Sequence, residues 1–146
     1  MKQEEENAIK SFKSGLNCAQ SVLTAYSEKL SFDKGLASSI SCGFGGGMGR
    51  LQETCGAVTG AFMVIGIYNC QKYSDNRDRK EKTYAMEQDF NKKFIAENKT
   101  TNCRSLLNSD LKTKEGMQYI TDNNLFETVC KKCIIDSVKI IDELIQ

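Results

Sequence analysis

Apolar positions recur along this chain at the period of an α-helix, and the alternating pattern of a β-strand is almost absent. The clearest case is residues 125–145, whose polar residues occupy one half of a helical wheel. Its other half holds Phe126, Val129, Cys130, Cys133, Ile134, Ser137, Val138, Ile141, Leu144 and Ile145. The pattern predicts an all-α fold with Cys130 pointing into the core and Cys133 beside it.

Capping and turn residues divide the rest of the chain into further helices. Asn17 and Asp33 are good N-caps, and Gly15 ends a first short helix. A charged segment after residue 70 carries an inner apolar stripe at i, i+4 and i+8, formed by Met86, Phe90 and Phe94. The predicted helices cover residues 4–13, 18–30, 33–42, 71–97, 103–108 and part of 110–124.

The segment 35–70 is nearly uncharged and glycine-rich. It contains nine of the eleven glycines and only two charged residues, Arg50 and Glu53. We expect it to form the buried centre. Its apolar run, residues 55–68, is shorter than the roughly 20 residues that span a bilayer, so it predicts a central helix and no membrane association. Gly56 and Gly60 lie one turn apart and would let another helix approach closely.

These patterns predict one compact, orthogonal helical domain, residues 1–146, around a central apolar helix that contains glycine. Lys and Arg total 20 and Asp and Glu total 19, and this near-neutral balance indicates no nucleic-acid partner. The chain has no His, which excludes imidazole as a general base, a zinc ligand or a haem ligand. Thiols and carboxylates must therefore carry any such chemistry.

The seven cysteines are an odd number, so at least one thiol is free or shared with a second copy in a homodimer. The first residues are acidic and contain no secretory or twin-arginine signal, which predicts a cytoplasmic protein. In that reducing setting, abundant cysteines favour metal binding or redox chemistry over structural crosslinks.

A glycine-rich stretch, GFGGGMG at residues 43–49, precedes Arg50. It is neither a Walker phosphate loop nor a dinucleotide fingerprint. Two interpretations stay open: a turn that lets helices cross closely, or a nest of amides that binds an anion. Arg50 and Glu53 either pair to hold the loop or touch a ligand. The candidate cofactor-binding residues are Gly45, Gly46, Gly47, Arg50 and Glu53.

Cys55 follows a good N-cap, Thr54, so we expect its thiol in the first turn of the central helix, where the helix dipole favours a thiolate. Three more cysteines lie at predicted helix starts or on core faces: Cys18, Cys103 and Cys130. Cys42 and Cys70 end their segments and are interpreted as packing residues. The motif from Cys130 to Cys133 has redox spacing, but its position in mid-helix makes it a weak exchange site.

The order of four blocks resembles a known family. The chain reads GLNCAQSVL, then GFGGGMGRLQETCGAVTGAFMVIG, then a Phe-x-x-x-Phe helix leading to CRSLL, then a cysteine on the amphipathic C-terminal helix. This is similar to the C_GCAxxG_C_C family of redox-active proteins, named for a CGAxxG motif and four cysteines. The resemblance implies that Cys18, Cys55, Cys103 and Cys130 are the family's redox cysteines, with Cys130 chosen over Cys133. The family block also contains an Arg and a Glu like Arg50 and Glu53.

Three functional hypotheses follow. In the first, these four cysteines bind an iron–sulfur cluster or another thiophilic metal such as zinc. In the second, the protein binds no metal and is a thiol-disulfide oxidoreductase with Cys55 as nucleophile. In the third, it is a non-catalytic helical binding module. The redox partner is not identified, and the haem of related split-Soret cytochromes cannot transfer because this chain has no His.

Overall fold

The computed structural model describes residues 2–146, and that part of the chain is all-α, with no β-strand. The helices are α1 (Gln3–Lys13), α2 (Cys18–Thr24), α3 (Lys34–Ser41), α4 (Gly56–Lys72), α5 (Asn76–Asn98), α6 (Cys103–Leu107), α7 (Lys114–Asp122) and α8 (Lys131–Leu144). A 3₁₀ turn, Cys42–Phe44, and a tight glycine turn, Gly45–Met48, connect α3 to α4. None of the helices described over residues 2–146 combines the length and the apolar character that crossing a bilayer requires.

The predicted N-caps of α2 and α3 are confirmed. The Asn17 side chain accepts a hydrogen bond from the Gln20 amide at 2.9 Å, and the Gln20 side chain accepts one from the Asn17 amide at 3.0 Å. This is a capping box, which satisfies two amides that the helix leaves unpaired. The predicted length of α2 is wrong, because the helix ends at Thr24 and the chain continues in i→i+3 turns such as Tyr26 N–H to Leu23 O.

Helix α4 is the buried helix that the apolar run predicts, and it packs against α2, α5 and α8. Its start differs from the prediction. Thr54 forms an isolated antiparallel bridge with Asn102, and Cys55 is itself the N-cap of the helix. The chain is extended at Thr54 because its neighbour Cys55 donates its amide proton to the Thr101 carbonyl oxygen, at 2.7 Å, instead of entering the helix.

Helix α5 carries the predicted inner stripe. Phe90 and Phe94 are fully buried, and their rings stack with centroids 5.9 Å apart. Phe62 of α4 meets the Phe90 ring edge-on at 5.8 Å, and Met86 packs against the same core. The helix begins at Asn76, several residues later than predicted, because the Asp75 side chain caps it.

The prediction that the whole segment 35–70 is buried is wrong for its first half. Leu36, Ile40 and Leu51 are 60%, 56% and 64% exposed. Helix α3 buries only Ala37 and Ser41, so its other face is open to solvent. The glycines here shape connections between helices rather than a core.

The C-terminal helix also departs from the regular wheel. Residues Phe126–Cys130 form a π-helical turn in which the Lys131 amide bonds the Phe126 carbonyl oxygen five residues back. The extra residue in that turn rotates the first part of the segment relative to α8. Phe126 is consequently 39% exposed, and Cys130 is half-buried instead of central in the core. Cys133 takes the buried place, at 1% exposure.

Candidate functional site

A cavity of about 500 Å³ lies where the starts of α2, α4 and α6 meet the π-helical turn. Its wall contains six of the seven cysteines: Cys18, Cys42, Cys55, Cys103, Cys130 and Cys133. The structure therefore brings the four cysteines selected from the sequence to one cavity and adds two more. Cys70 does not line it and is exposed.

Three of these thiols are placed by helix starts. Cys18 and Cys103 are the first residues of α2 and α6, and each follows an Asn whose side chain caps the helix. Cys55 is the N-cap of α4. Free amides and the helix dipole favour negative charge at such positions, and at Cys55 the amides of Ala57 and Val58 lower the pKa of the thiol.

The bridge between Thr54 and Asn102 positions two of the cysteines relative to each other. The Cys55 amide donates to the Thr101 carbonyl oxygen and the Cys103 amide donates to the Glu53 carbonyl oxygen, each at 2.7 Å. Side chains alternate between the faces of paired extended segments. Cys55 and Cys103 therefore share the face opposite Thr54 and Asn102, and that face is the cavity wall.

Cys55 and Cys133 are two of the cavity thiols, and each shifts the pKa of the other. The hydrogen bond from Cys133 lowers the pKa of Cys55 below its usual 9.0, the amides of Ala57 and Val58 lower it further, and burial opposes them. The same bond raises the pKa of Cys133, and burial adds to that effect. The pair thus concentrates thiolate character on Cys55 and keeps the proton on Cys133.

Cys18 and Cys130 form the second pair. Their hydrogen bond raises the pKa of Cys18 well above 9.0, and burial and the nearby Cys55 and Cys133 thiols act in the same direction. Cys103 is the fifth thiol in this group. Burial, Cys55 and Cys130 raise the pKa of Cys103 to about 12, while a hydrogen bond with the Gln52 side chain opposes the shift.

Gln52 is a structural residue of the site that sequence reasoning missed. Its backbone is left-handed, with φ of 56°, and its buried amide group donates to the Ser109 carbonyl oxygen and accepts from the Leu111 amide, both at 2.8 Å. These bonds hold Leu111, which lines the cavity, close to the glycine-rich stretch at residues 43–49. A glutamine in a left-handed conformation has no sequence signature, because Gly and Asn are the usual residues there.

The glycine turn lines the cavity through Gly45, Gly46 and Gly47. Gly46 and Gly47 have φ of 63° and 64°, and the left-handed backbone continues to Arg50. A Cβ atom at Gly47 would lie 2.7 Å from the Cys103 Cβ and 2.6 Å from the Gln52 Cα. Glycine is required at this position because the turn packs directly on a site cysteine.

The predicted pairing of Arg50 with Glu53 is wrong. Across the described part of the chain, neither residue takes part in an ion pair. The backbone of Glu53 holds the loop instead: its amide donates to the Gly47 carbonyl oxygen at 2.9 Å and its carbonyl oxygen accepts from Cys103. Arg50 is exposed and lies at the edge of the cavity.

The structure also differs from two interpretations of individual cysteines that the sequence suggested. Cys42 and Cys70 were expected to be packing residues, and both are exposed because their helices end at the surface. Cys130 and Cys133 both line the cavity, so the choice of Cys130 alone leaves out a thiol that bonds Cys55. The π-helical turn, which ends at Cys130, changes the side-chain directions that a regular wheel predicts.

The cysteine cavity is not a preformed site for one metal ion. Within residues 2–146, no three Cys, Asp or Glu side chains are grouped closely enough to hold a single ion. The thiols instead come from separate segments around the cavity wall.

Comparisons with known proteins agree with the cysteine pattern. No curated protein and no solved structure matches the chain. A family profile described as "Putative redox-active protein (C_GCAxxG_C_C)" matches residues 16–144, a span that includes every cysteine of the cavity. The chain belongs to the C_GCAxxG_C_C family.

Proposed function

We propose that the cysteine cavity is the redox centre of this protein and that it binds an iron–sulfur cluster. The observation that carries the proposal is that six of the seven cysteines, contributed by separate segments of the chain, line one cavity. A simple packing role for cysteine does not require a cavity of about 500 Å³ between the thiols.

The donor set fits a cluster better than a single ion such as zinc. Soft thiolates are the ligands that iron–sulfur clusters take, in groups of four. Cys18, Cys55, Cys130 and Cys133 would hold such a cluster, with Cys103 as the alternative to Cys133. A lone zinc ion would need three or four ligands around one point, which this arrangement lacks over residues 2–146.

When bound, the cluster would supply one-electron transfer. The chain's own contribution is electrostatic and steric. At the start of α4 the amides of Ala57 and Val58 stabilise negative charge on the Cys55 sulfur. The wall formed by Leu106, Leu107 and Leu111 limits access of water, and low exposure together with hydrogen bonds to sulfur sets the potential of such centres. Free thiols need a reducing compartment, so we place this function in the cytoplasm with a separate electron partner.

Anaerobic reconstitution with iron and sulfide tests the proposal. We expect visible absorption of a cluster and bound iron in the parent protein, and loss of both in Cys18→Ser, Cys55→Ser and Cys130→Ser. Cys70→Ser is the matched control, since Cys70 is exposed and outside the cavity. A parent protein that stays colourless and iron-free contradicts the proposal, as does a control that loses iron equally.

A second candidate function, thiol-disulfide exchange at Cys55, is favoured by a separate observation. The pKa of Cys55 is lowered, and Cys133 is a second thiol on the same cavity wall that could resolve a mixed disulfide. Metal-free protein exposed to a mild oxidant should then lose thiols as a monomer, and Cys55→Ser should abolish the reaction with Cys133. Oxidation only between chains would remove this candidate.

A further inference from the structure

The cysteine cavity has a single charged side chain on its wall, and the proposed redox centre does not use that charge. Among the described residues that line the cavity, Arg50 alone is charged, and it makes no ion pair with a carboxylate of residues 2–146. We infer that the cavity binds a small organic monocarboxylate, with the carboxylate on the Arg50 guanidinium and an apolar body against the inner wall. The inference deepens the proposed function, because it rests on this cavity as the working site and names the class of small molecule that enters it.

The size and the lining of the cavity suit a small molecule. Its volume of about 500 Å³ lies within the range of roughly 300–1,000 Å³ that is usual for small-molecule sites. Such sites are largely apolar and contain a few polar groups that fix the orientation of the ligand. Besides the thiols and the glycine turn, this wall consists mainly of apolar side chains, among them Leu106, Leu107, Leu111, Met117 and Val129. The wall therefore favours an apolar body, and Arg50 supplies the polar anchor.

The glycine turn places Arg50 at the edge of the cavity. Its φ of 63° lies in the left-handed region, where a residue with a Cβ atom is strained and glycine is usual. A Cβ atom at Gly46 would lie 3.0 Å from Arg50 Cγ and 3.4 Å from Leu111 Cδ1, so the arginine stem lies over the turn beside the apolar wall. Arg50 is exposed, as are Cys42 and Gly49, which also line the cavity. This edge therefore opens to solvent, and a ligand enters past the guanidinium.

The charge of the site favours a ligand with one negative charge. A guanidinium group binds a carboxylate through two parallel hydrogen bonds, and no Asp or Glu among the described lining residues would repel that carboxylate. A phosphate ester carries nearly two negative charges at neutral pH, and Arg50 would compensate only one of them. A neutral ligand would leave the guanidinium without a partner. A monocarboxylate matches both the single cation and the apolar wall.

Two alkylating reagents that differ in charge test the inference on the full chain, freed of metal with a chelator. Iodoacetate carries a carboxylate, and iodoacetamide is its neutral analogue. Mass spectrometry gives the rate at each cysteine, and the ratio of the two rates cancels any change in the thiolate fraction. At Cys18, Cys55 and Cys103, Arg50→Gln should lower the ratio of the iodoacetate rate to the iodoacetamide rate by about two- to fivefold, the effect of losing one exposed ion pair. Arg50→Lys keeps the charge and should keep most of the parent ratio.

Two controls separate the cavity from the protein as a whole. Cys70 is the internal reference, since it is exposed and does not line the cavity, and its ratio should not respond to Arg50→Gln. Arg77→Gln removes the same charge from an exposed residue outside the cavity wall, and it should leave the ratios at the cavity cysteines unchanged.

Protection by a ligand gives a second measurement. Phenylacetate should slow the reaction of the same three cysteines with iodoacetamide more than phenylacetamide does, and Arg50→Gln should remove that difference. Equal ratios in the parent and Arg50→Gln overturn the inference, as does an equal drop in Arg77→Gln, equal protection by the two ligands, or failure of both reagents to reach the cavity thiols. A protein that takes up no iron on reconstitution contradicts only the iron–sulfur proposal, because this assay contains no metal.

Discussion

Gly60 of α4 lies so close to Ala19 of α2 that a Cβ atom at Gly60 would be 2.8 Å from the Ala19 carbonyl oxygen. One turn earlier, a Cβ atom at Gly56 would lie 3.1 Å from the Cys18 Cβ. The backbones of the two helices therefore touch without intervening side chains. Because Cys55 directly precedes Gly56, this contact sets the position of Cys18 relative to Cys55.

We predict that Gly60→Ala destabilises the protein by about 1–3 kcal/mol, because the added methyl group must push α2 away from α4. Gly66→Ala is the matched control in the same helix, since a Cβ atom there meets nothing within 4 Å. It should stabilise the protein by about 0.5–1 kcal/mol through helix propensity alone. Urea unfolding measures both values, and equal effects of the two substitutions would contradict the close contact.

Comparing Gly47→Ala with Gly49→Ala separates the cost of a left-handed backbone from the effect of packing against a cavity cysteine. Gly47→Ala adds a methyl group 2.7 Å from the Cys103 Cβ, whereas Gly49→Ala adds one in open space, although both residues have φ near 63°. Both variants should lose about 1–2 kcal/mol from the left-handed backbone. Only Gly47→Ala should also change the alkylation rates of the cavity thiols. Unchanged rates in Gly47→Ala would show that the turn does not position Cys103.

The pH dependence of Cys55 alkylation tests the hydrogen bond from Cys133. Because that bond lowers the pKa of Cys55, its rate with iodoacetamide should reach half its maximum at a pH below 9.0. Cys133→Ala removes the donor, so the pKa of Cys55 should rise and the rate at neutral pH should fall. Cys133→Ser keeps a hydroxyl donor and should retain part of the shift. Identical profiles for parent and Cys133→Ala, measured at Cys55 by mass spectrometry, would refute the pairing.

Tyr26 and Asp142 form a buried polar contact that holds the turn after α2 against α8. The Tyr26 hydroxyl donates to Asp142 Oδ1 at 2.7 Å, and the second carboxylate oxygen is buried without a partner among residues 2–146. Tyr26→Phe should cost about 2 kcal/mol, because it leaves the whole carboxylate unsatisfied. The double variant Tyr26→Phe with Asp142→Leu should lose less than the single one.

Tyr68→Phe is the control for this prediction, since the Tyr68 hydroxyl makes only an exposed 3.5 Å bond to the Gln146 carbonyl oxygen. Its removal should change the free energy of unfolding by less than about 0.5 kcal/mol. If Tyr26→Phe proves equally mild in chemical denaturation, the buried hydrogen bond contributes nothing net.

Local features of the fold could be predicted because they depend on neighbouring residues. The Asn17 and Asp33 caps are confirmed since a cap needs only a side chain two or three residues from the amides it satisfies. Phe90 and Phe94 are buried as predicted because helical spacing alone places them on one face.

The burial of Asp142 could not be predicted from helical spacing. It falls on the polar half of the wheel, and it is nevertheless buried because Tyr26 reaches it from another part of the chain. The pattern also failed at Cys130. A wheel of 100° per residue assumes a regular helix, and the π-helical turn at Phe126–Cys130 changes the direction of every side chain within it. The early end of α2 and the exposed face of α3 likewise depend on contacts between segments distant in sequence.

By itself, the sequence determined that the fold is helical, that imidazole has no part in its chemistry, and that thiols are the available redox groups. Periodicity and composition carry that information residue by residue. Only the tertiary structure decided that Cys18, Cys55, Cys103, Cys130 and Cys133 line one cavity, and that the environment there lowers the pKa of Cys55. A thiol's partner and its pKa depend on distances of a few ångströms between separate helices, and those distances are set by close backbone contacts such as Gly60 against Ala19.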